Sequence, residues 1–459
     1  MTFTNLLFIF GFLPVSLLAC CRIRNIRIQN VVLLVLSLLF YAWGNPAQLL
    51  LMIILILWTY FGGLQLENHR QDPWRRQQLI LAGIVGVEIA VLAVYKYLNT
   101  WLVGLGQAPL DLILPVGLSF YTFSLLSYIG DVYMEAVPAE RNILDLSLYC
   151  AFFGKVNMGP ISDYEQFIPQ IRNRVMDRPH FFDGVQLFLR GLARKVILAD
   201  QFSLIFTQLA GNASLPGAWL SSLAYTFQLY YDFSGYSDMA IGIGKMFGFD
   251  IPENFNYPYI ATNVQDFWRR WHISLSSWFR DYVYIPLGGS KVDNAKYIRN
   301  ILIVWLLTGI WHGPNLTFIV WGLYYGLLIL AHKFFLKPYM EKLPRPVQIL
   351  LTFLMANVGW IFFSSPDIGQ AFARLGQLIG IGAGGSARPA LFMLSSYWLL
   401  YLLGFLFAAP AWPRLRRWVL LRFKDEGVTI MLVLEVILFV ICLAFIVSGT
   451  SRTFLYAAF

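Results

Sequence analysis

Long apolar runs separated by short basic loops dominate the chain. They lie near 4–20, 29–44, 47–65, 78–96, 112–133, 183–208, 216–245, 298–311, 316–335, 347–364, 391–410 and 428–447. A spanning helix needs roughly 20 mostly apolar residues, so about a dozen helices are predicted to cross or enter a membrane. Runs that are short or polar inside are read as re-entrant or protein-buried pieces, because broken backbone is not tolerated against lipid. Segment 412–424 sets Trp412, Leu415, Trp418, Val419 and Phe423 opposite arginines and is predicted as an amphipathic helix in the membrane plane. The expected architecture is all-α and polytopic, with about 11–13 transmembrane or re-entrant helices in a single integral membrane domain over 1–459.

Loop charge sets the expected orientation. Arg22, Arg24 and Arg27 follow the first run, the hairpin at Gly44–Pro46 carries no charge, and His69, Arg70, Arg75 and Arg76 fill the next loop. Basic loops stay cytoplasmic, so the N-terminus is expected outside. Arg414, Arg416, Arg417, Arg422 and Lys424 precede the last run and put the C-terminus outside as well. The first run lacks a basic leader and a small-residue cleavage site, and is read as an uncleaved span.

Composition agrees. Hydrophobic residues make up 58% of the 459 and charged residues 13%, about half the charge of a soluble domain. This excludes intrinsic disorder and speaks against a water-soluble globule. Lys plus Arg exceed Asp plus Glu by 34 to 25, a net +9. The excess sits in short loops between apolar runs, which points to topology and not to nucleic acid. Cys20, Cys21, Cys150 and Cys442 form no C-x-x-C pair and read as buried hydrophobes, with no metal site implied. No repeat, low-complexity tract or soluble domain stands out.

Four constellations carry candidate chemistry. Residues 264–300 are the least membrane-like long stretch, and 265–282 read QDFWRRWHISLSSWFRDY. As a helix, Asp266 and Arg270 stand four apart and can pair. Trp268, Trp271, Trp278 and Tyr282 suit the headgroup region, which makes an interfacial anchor the plainer reading. The second, LTGIWHGPNLT (307–317), lies between two apolar runs, and Gly313-Pro314 should break the helix just after His312. A histidine at membrane depth is a functional candidate, and neutral imidazole can accept a proton near pH 7. A loop histidine closing a helix fits the residues equally. Asn315-Leu316-Thr317 also matches a glycosylation sequon, a pattern too weak to use.

The third, YYDFSGYSD (230–238) with NFNYPY (254–259), puts Asp232, Ser234, Ser237 and Asp238 in an apolar run, where a buried polar network is the first reading. Gly242-Ile243-Gly244-Lys245 fits neither a P-loop nor a dinucleotide fingerprint, and reads as packing glycines beside a snorkelling lysine. The fourth, FFGKVNMGPI (152–161), is a short apolar run broken by Gly and Pro, expected to be re-entrant.

Together these motifs resemble the membrane-bound O-acyltransferase superfamily, and within it the alginate O-acetylation group. DFWRRWHISLSSWFRDYVYIPLGGS (266–290), LTGIWHGPNLTFIVWG (307–322), LPVGLSFYTFSLLSYIGDVY (114–133), YYDFSGYSDMAIGIGKMFGF (230–249) and NFNYPY carry the likeness, strongest over 110–335. The end, 451–459, echoes the family's aromatic C-terminus. Gly154 and Asn157-Met158 stand where relatives usually have a proline and a small residue. Ile285-Pro286-Leu287-Gly288-Gly289 favours the polysaccharide-acetylating branch over D-alanyl transfer proteins.

The resemblance implies a ring of helices around a central tunnel in a bacterial inner membrane. Acetyl-CoA would be the donor substrate, with no bound cofactor or metal. His312 matches the family's catalytic histidine, and His272 the second motif histidine. His272 is expected to orient the thioester or stabilise an oxyanion. Arg269, Arg270 and Arg280 are candidates for the donor phosphates, with Trp271 and Asn315 in the same donor-binding set; lipid headgroups are the competing partner for the arginines. The implied acceptor is a partner protein outside the membrane, with polysaccharide as the final acceptor. D-alanyl transfer to teichoic acid is the alternative within the enzyme class. A polysaccharide transporter or synthase scaffold is the alternative outside it, although no inverted repeat supports transport.

Overall fold

The computed structural model describes residues 1–44, 46–449 and 452–455. Helices form all the regular structure among them, with no strand. Six helices are long and apolar enough to span a membrane: Pro46–Asn68, Trp74–Gly104, Leu316–Met340, Arg345–Ser364, Arg388–Phe407 and Ala411–Val447. Phe8–Cys21 and Ile26–Ala42 are shorter apolar helices. The remaining apolar runs are helical too, as Leu118–Tyr133, Arg178–Ala193 continuing to Leu209, Leu215–Met246 and Asn294–His312. The protein is an all-α multi-pass membrane protein. The uncharged turn around residue 45 and most of the aromatic end, 451 and 456–459, lie outside the described residues.

The chain divides into two compact units. Among the described residues the first holds Met1–Arg190 and Tyr236–Glu253; the second holds Gly191–Gly235 and Asn254–Leu455.

In the first unit, Arg174 is buried and donates from Nε to the Phe247 carbonyl (3.1 Å) and from Nη2 to Gln29 Oε1 (2.9 Å). Segment 152–161 is irregular and almost wholly buried. It fits the expectation of broken backbone enclosed by protein. Its Lys155 ammonium lies 4.0 Å from the Tyr149 ring centroid. Asp238 pairs with Arg190 at 3.1 Å. Gly242 is a packing glycine as read: a Cβ there would stand 2.6 Å from the Gly184 carbonyl oxygen. Lys245 reaches Asp250 at 3.2 Å.

The second unit carries both candidate histidines. Asn294–His312 and Leu316–Ala331 form a tight hairpin. Asp293 caps the first helix, accepting from the Lys296 N–H at 2.9 Å, and this bond holds its carboxyl below the usual range. Two glycines let the hairpin close. A Cβ on Gly322 would stand 2.3 Å from the Trp305 carbonyl oxygen, and one on Gly309 2.6 Å from that of Phe318. Small residues are what permit such approach between membrane helices.

The Ala411–Val447 helix is broken at Lys424, with φ 48° and ψ −119°. Gly427 packs against the Val419 carbonyl, so the chain turns back there and sets 411–423 apart as its own helix. The sequence pattern had separated this amphipathic stretch from the last span.

Asp232 belongs to a buried network, as its place in an apolar run implied. Lys195 Nζ lies 2.7 Å from both Asp200 and Asp232, and all three side chains are buried. Asp232 also accepts from the Leu455 N–H at 2.8 Å. Removing one partner of a buried pair leaves an uncompensated charge, at a cost of about 3–5 kcal/mol. Lys195→Met is therefore expected to lower the thermal unfolding midpoint in detergent clearly. Lys245→Met, which breaks the solvated pair with Asp250, should change stability by less than about 1 kcal/mol.

Candidate active site

Both histidines are held by unusual backbone. His272 precedes the Ile273–Phe279 helix in the left-handed conformation, φ 43° and ψ 56°. That region is uncommon for a residue with a Cβ and persists only where the surroundings enforce it. Here the enforcement comes from segment 254–257. The Ile273 N–H donates to the Asn254 carbonyl and the Asn256 N–H to the Arg270 carbonyl, both at 2.9 Å. Tyr257 is left-handed too, with φ 47°.

The Asn254 side chain completes the arrangement. Its Oδ1 accepts from the Ser274 N–H (3.1 Å), from Ser274 Oγ (2.9 Å) and from His272 Nδ1 (3.1 Å). A backbone N–H only donates, so the atom facing it must be the amide oxygen. His272 Nδ1 facing that oxygen must then carry the proton. Nε2 is left with a lone pair, buried and with no hydrogen-bond partner among the described residues. In this tautomer the ring offers an acceptor and not a donor. The geometry thus suits holding an N–H or O–H group; stabilising an oxyanion through Nε2 would require the imidazolium.

His312 is the last residue of its helix and 4% exposed. Gly313 follows at φ 154° and ψ 179°, a region essentially confined to glycine. The helix therefore ends where Gly313-Pro314 implied. Asn315 caps the next helix through the Thr317 N–H (3.3 Å) and donates to the Pro366 carbonyl (2.6 Å). The His312 ring has its centroid 4.6 Å from Trp311 and 4.9 Å from both Trp321 and Phe363. His272 lies 6.4 Å from the same Trp311 ring and 4.6 Å from Phe233, edge to face. The two imidazoles thus flank one indole inside an aromatic shell. Trp321 Nε1, Thr317 Oγ1 and Ser234 Oγ are further buried polar atoms with no partner among the described residues. Native interiors rarely leave such atoms unmatched.

The rest of the 265–282 motif departs from the sequence reading. It forms two short α-helices, Val264–Trp268 and Ile273–Phe279, separated by a break at 269–272, and the second runs on into the π-helical Arg280–Tyr284. Trp271 and Trp278 are buried, so they do not anchor the chain at a headgroup layer. Trp271 packs 4.6 Å from Trp360 instead. Amphipathic rings suit an interface or a packed polar-aromatic core equally, and composition cannot separate the two. Arg270 does pair with Asp266 at 2.9 Å, four residues apart. Arg280 pairs with Asp281 at 2.7 Å and is exposed, and Arg269 is exposed as well. The candidate donor set is thus split: Trp271 is interior, Asn315 is engaged at a helix start, and the arginines reach the surface. Among the described residues no three His, Cys, Asp or Glu side chains converge as metal ligands.

Residues 135–365 match the family described as MBOAT, membrane-bound O-acyltransferase family. The chain belongs to that family. It is 38% identical over 394 residues to the "Probable alginate O-acetylase AlgI" of Pseudomonas putida, a match spanning 83% of this chain and 81% of that protein. It is 35% identical over 422 residues to the peptidoglycan O-acetyltransferase of Helicobacter pylori, spanning 83% and 80%. A teichoic acid D-alanyltransferase of Bacillus subtilis is 30% identical over 277 residues, spanning 56% of this chain and 70% of its own. As a member of the membrane-bound O-acyltransferase family, the protein is an O-acyltransferase.

Asn254 and Ser274 are the supporting residues that the motif reading did not assign a role. The available signal was the NFNYPY motif, upstream of His272 and beginning with Asn254. Replacing Asn254 with alanine leaves buried donors unmatched, which costs about 1–3 kcal/mol. The expected result is a lower unfolding midpoint for Asn254→Ala. Ser274→Ala, which leaves the asparagine with two donors, should lower it less.

Proposed function

We propose that the protein transfers an acetyl group from a cytoplasmic donor, acetyl-CoA, to a hydroxyl group on the far side of a bacterial inner membrane, in the O-acetylation of an alginate-like exopolysaccharide. The observation that carries the reading is the pair of buried histidines flanking Trp311, one of them with an open Nε2, in a chain whose O-acetylating relatives match 83% of its length. The D-alanyltransferase relative matches 56%, which favours acetyl over D-alanyl transfer.

In this mechanism His312 accepts the proton of the attacking hydroxyl. The hydroxyl oxygen forms a bond to the acyl carbon, and the tetrahedral intermediate expels the thiolate as the carbon–sulfur bond breaks. The proton then passes from His312 to the leaving sulfur. Ester and thiol are the products, and no further reactant is needed. His272, fixed by Asn254, holds an N–H or O–H of the substrate through Nε2. The aromatic shell excludes water, which would otherwise compete with the acceptor for the thioester. Arg269, Arg270 and Arg280 meet the donor phosphates at the basic, cytoplasmic mouth, since guanidinium groups suit phosphate. Both termini lie outside, by the charge of the loops. The immediate acceptor is a partner protein or the polymer itself outside the membrane.

The test is the O-acetyl content of the polysaccharide in a deletion strain complemented with wild type or His312→Ala at equal membrane levels. A positioned general base contributes about 10²–10⁴-fold. The variant is expected to lose acetylation by that order while its unfolding midpoint stays near wild type. Full acetylation by His312→Ala would sink the assignment.

A further inference from the structure

Acyl transfer creates a negative charge for which the two histidines offer no donor. When the hydroxyl adds to the acyl carbon, an electron pair moves onto the carbonyl oxygen, and that oxyanion needs hydrogen-bond donors already in place. His272 does not supply one, because its open Nε2 is an acceptor in the tautomer that Asn254 fixes. Two other donors near His312 are unengaged. Thr317 Oγ1 and Trp321 Nε1 are buried with no hydrogen-bond partner among the described residues, and the two side chains are 0% and 1% exposed.

Both atoms depart from the behaviour of the same residue types elsewhere in the chain. Thr207, Thr308 and Thr352 each donate to the carbonyl four residues back in their own helix, at 2.8 Å. Thr317 is the second residue of the Leu316–Ala331 helix, and the residue four back is Gly313, outside any helix. The helical ladder therefore offers its hydroxyl no acceptor. Trp219 Nε1 donates to the Leu378 carbonyl at 3.0 Å, and Trp360 Nε1 to the Tyr259 hydroxyl at 3.1 Å. The Trp321 N–H can only donate, and it meets no such oxygen.

Helix geometry brings the two together. Residues four apart share one face, with Cβ atoms about 5–6 Å from each other. On that face the Trp321 ring meets the His312 imidazole edge to face, with centroids 4.9 Å apart and planes at 88°. Thr317 stands in the first turn of a 16-residue helix, where unpaired N–H groups and the helix dipole favour negative charge. Phe363 packs 4.9 Å from His312 and 5.4 Å from Trp321, so the donors act in surroundings that strengthen a hydrogen bond.

We propose that the Thr317 hydroxyl and the Trp321 indole N–H form the oxyanion hole of this acyltransferase, donating to the carbonyl oxygen of the acyl donor as the tetrahedral intermediate forms. When the intermediate collapses, the carbon–oxygen double bond returns and the carbon–sulfur bond breaks. The thiolate takes the proton held by His312, and both donors keep their own protons. The proposal rests on the acyl-transfer mechanism above, but on its carbonyl chemistry and not on which acyl group moves.

The test follows ester formation in permeabilised cells of the deletion strain, which keep the acceptor, with each full-length variant at equal levels and acetyl-CoA varied. Thr317→Val and Trp321→Phe should each lower kcat by about 10²–10³-fold, the effect of losing one oxyanion donor. KM for acetyl-CoA should stay within about twofold, because the lost bond strengthens only in the transition state. Thr317→Ser, which keeps the hydroxyl, should recover most of the lost rate. Thr317→Val should not lower the unfolding midpoint in detergent, because it replaces an unmatched hydroxyl with a methyl of similar shape. Neither donor titrates near neutral pH, so the loss should be the same across the pH–rate profile. A kcat near wild type in folded Thr317→Val and Trp321→Phe overturns the proposal, as does a loss confined to KM. A rate loss in Thr317→Val that tracks a lowered midpoint assigns Thr317 to the scaffold and overturns it too. So does a displaced pH–rate profile, which would mean that the two residues act on the His312 imidazole. The same kcat losses in a protein that forms D-alanyl and not acetyl esters would support the oxyanion hole while the acetyl reading fails.

Discussion

The hydrogen bonds converging on Asn254 Oδ1 are the constraint from which the rest of the site follows. One carbonyl oxygen takes donors from Ser274 N, Ser274 Oγ and His272 Nδ1. These bonds hold a left-handed histidine that would otherwise relax toward the common backbone regions. They fix its tautomer and start the Ile273–Phe279 helix. They also turn a stretch whose composition suits a membrane surface into interior structure, with Trp271 drawn into the aromatic core. A weaker acceptor at position 254 would loosen backbone, ring orientation and protonation pattern at once, because all three depend on one atom.

The second histidine is placed by a different device, helix termination. A helix that ends inside protein exposes carbonyl groups, which an apolar surrounding penalises. The Asn294–His312 helix can end at that depth because Leu316–Ala331 starts immediately afterward and packs along it. Gly309 and Gly322 allow the backbones to touch, and Asn315 supplies the next cap. The irregular residues are thereby enclosed, and both imidazoles come near the same indole, His312 at 4.6 Å and His272 at 6.4 Å from the Trp311 ring centroid.

Much of this was legible in the sequence. The helical runs are present as helices, because length and apolarity leave few other solutions in lipid. The break after His312 was readable from Gly313-Pro314, and the networked state of Asp232 from its apolar neighbours. The partners were not readable. Lys195 and Asp200 lie 37 and 32 positions away from Asp232 in another run, and only the fold brings them together. The hint was a lysine inside an apolar stretch, which calls for a counter-ion. Asn254 is 18 residues from His272, a separation at which no helical or strand periodicity links two side chains. The buried tryptophans were misplaced because hydropathy gives the same score to a ring at an interface and a ring in a polar-aromatic core.

Satisfaction of hydrogen bonds separates the structural polar groups from the chemical ones. Lys195 is surrounded by two carboxylates and the Thr453 carbonyl, so its charge is spent on holding chain segments together. Desolvating such a cluster is expensive, and it persists because its members compensate one another. His272 has the opposite arrangement: one nitrogen is fully engaged and the other is buried with a lone pair open. Folding alone does not require that, since a buried acceptor without a partner opposes stability. A ring clamped at Nδ1 and open at Nε2 is what substrate positioning needs, because the clamp fixes the direction from which a donor must arrive. Asn315 is of the engaged kind: its amide oxygen accepts from the Thr317 N–H and its amide nitrogen donates to the Pro366 carbonyl. Those two bonds fix the start of the Leu316–Ala331 helix directly after the break that follows His312.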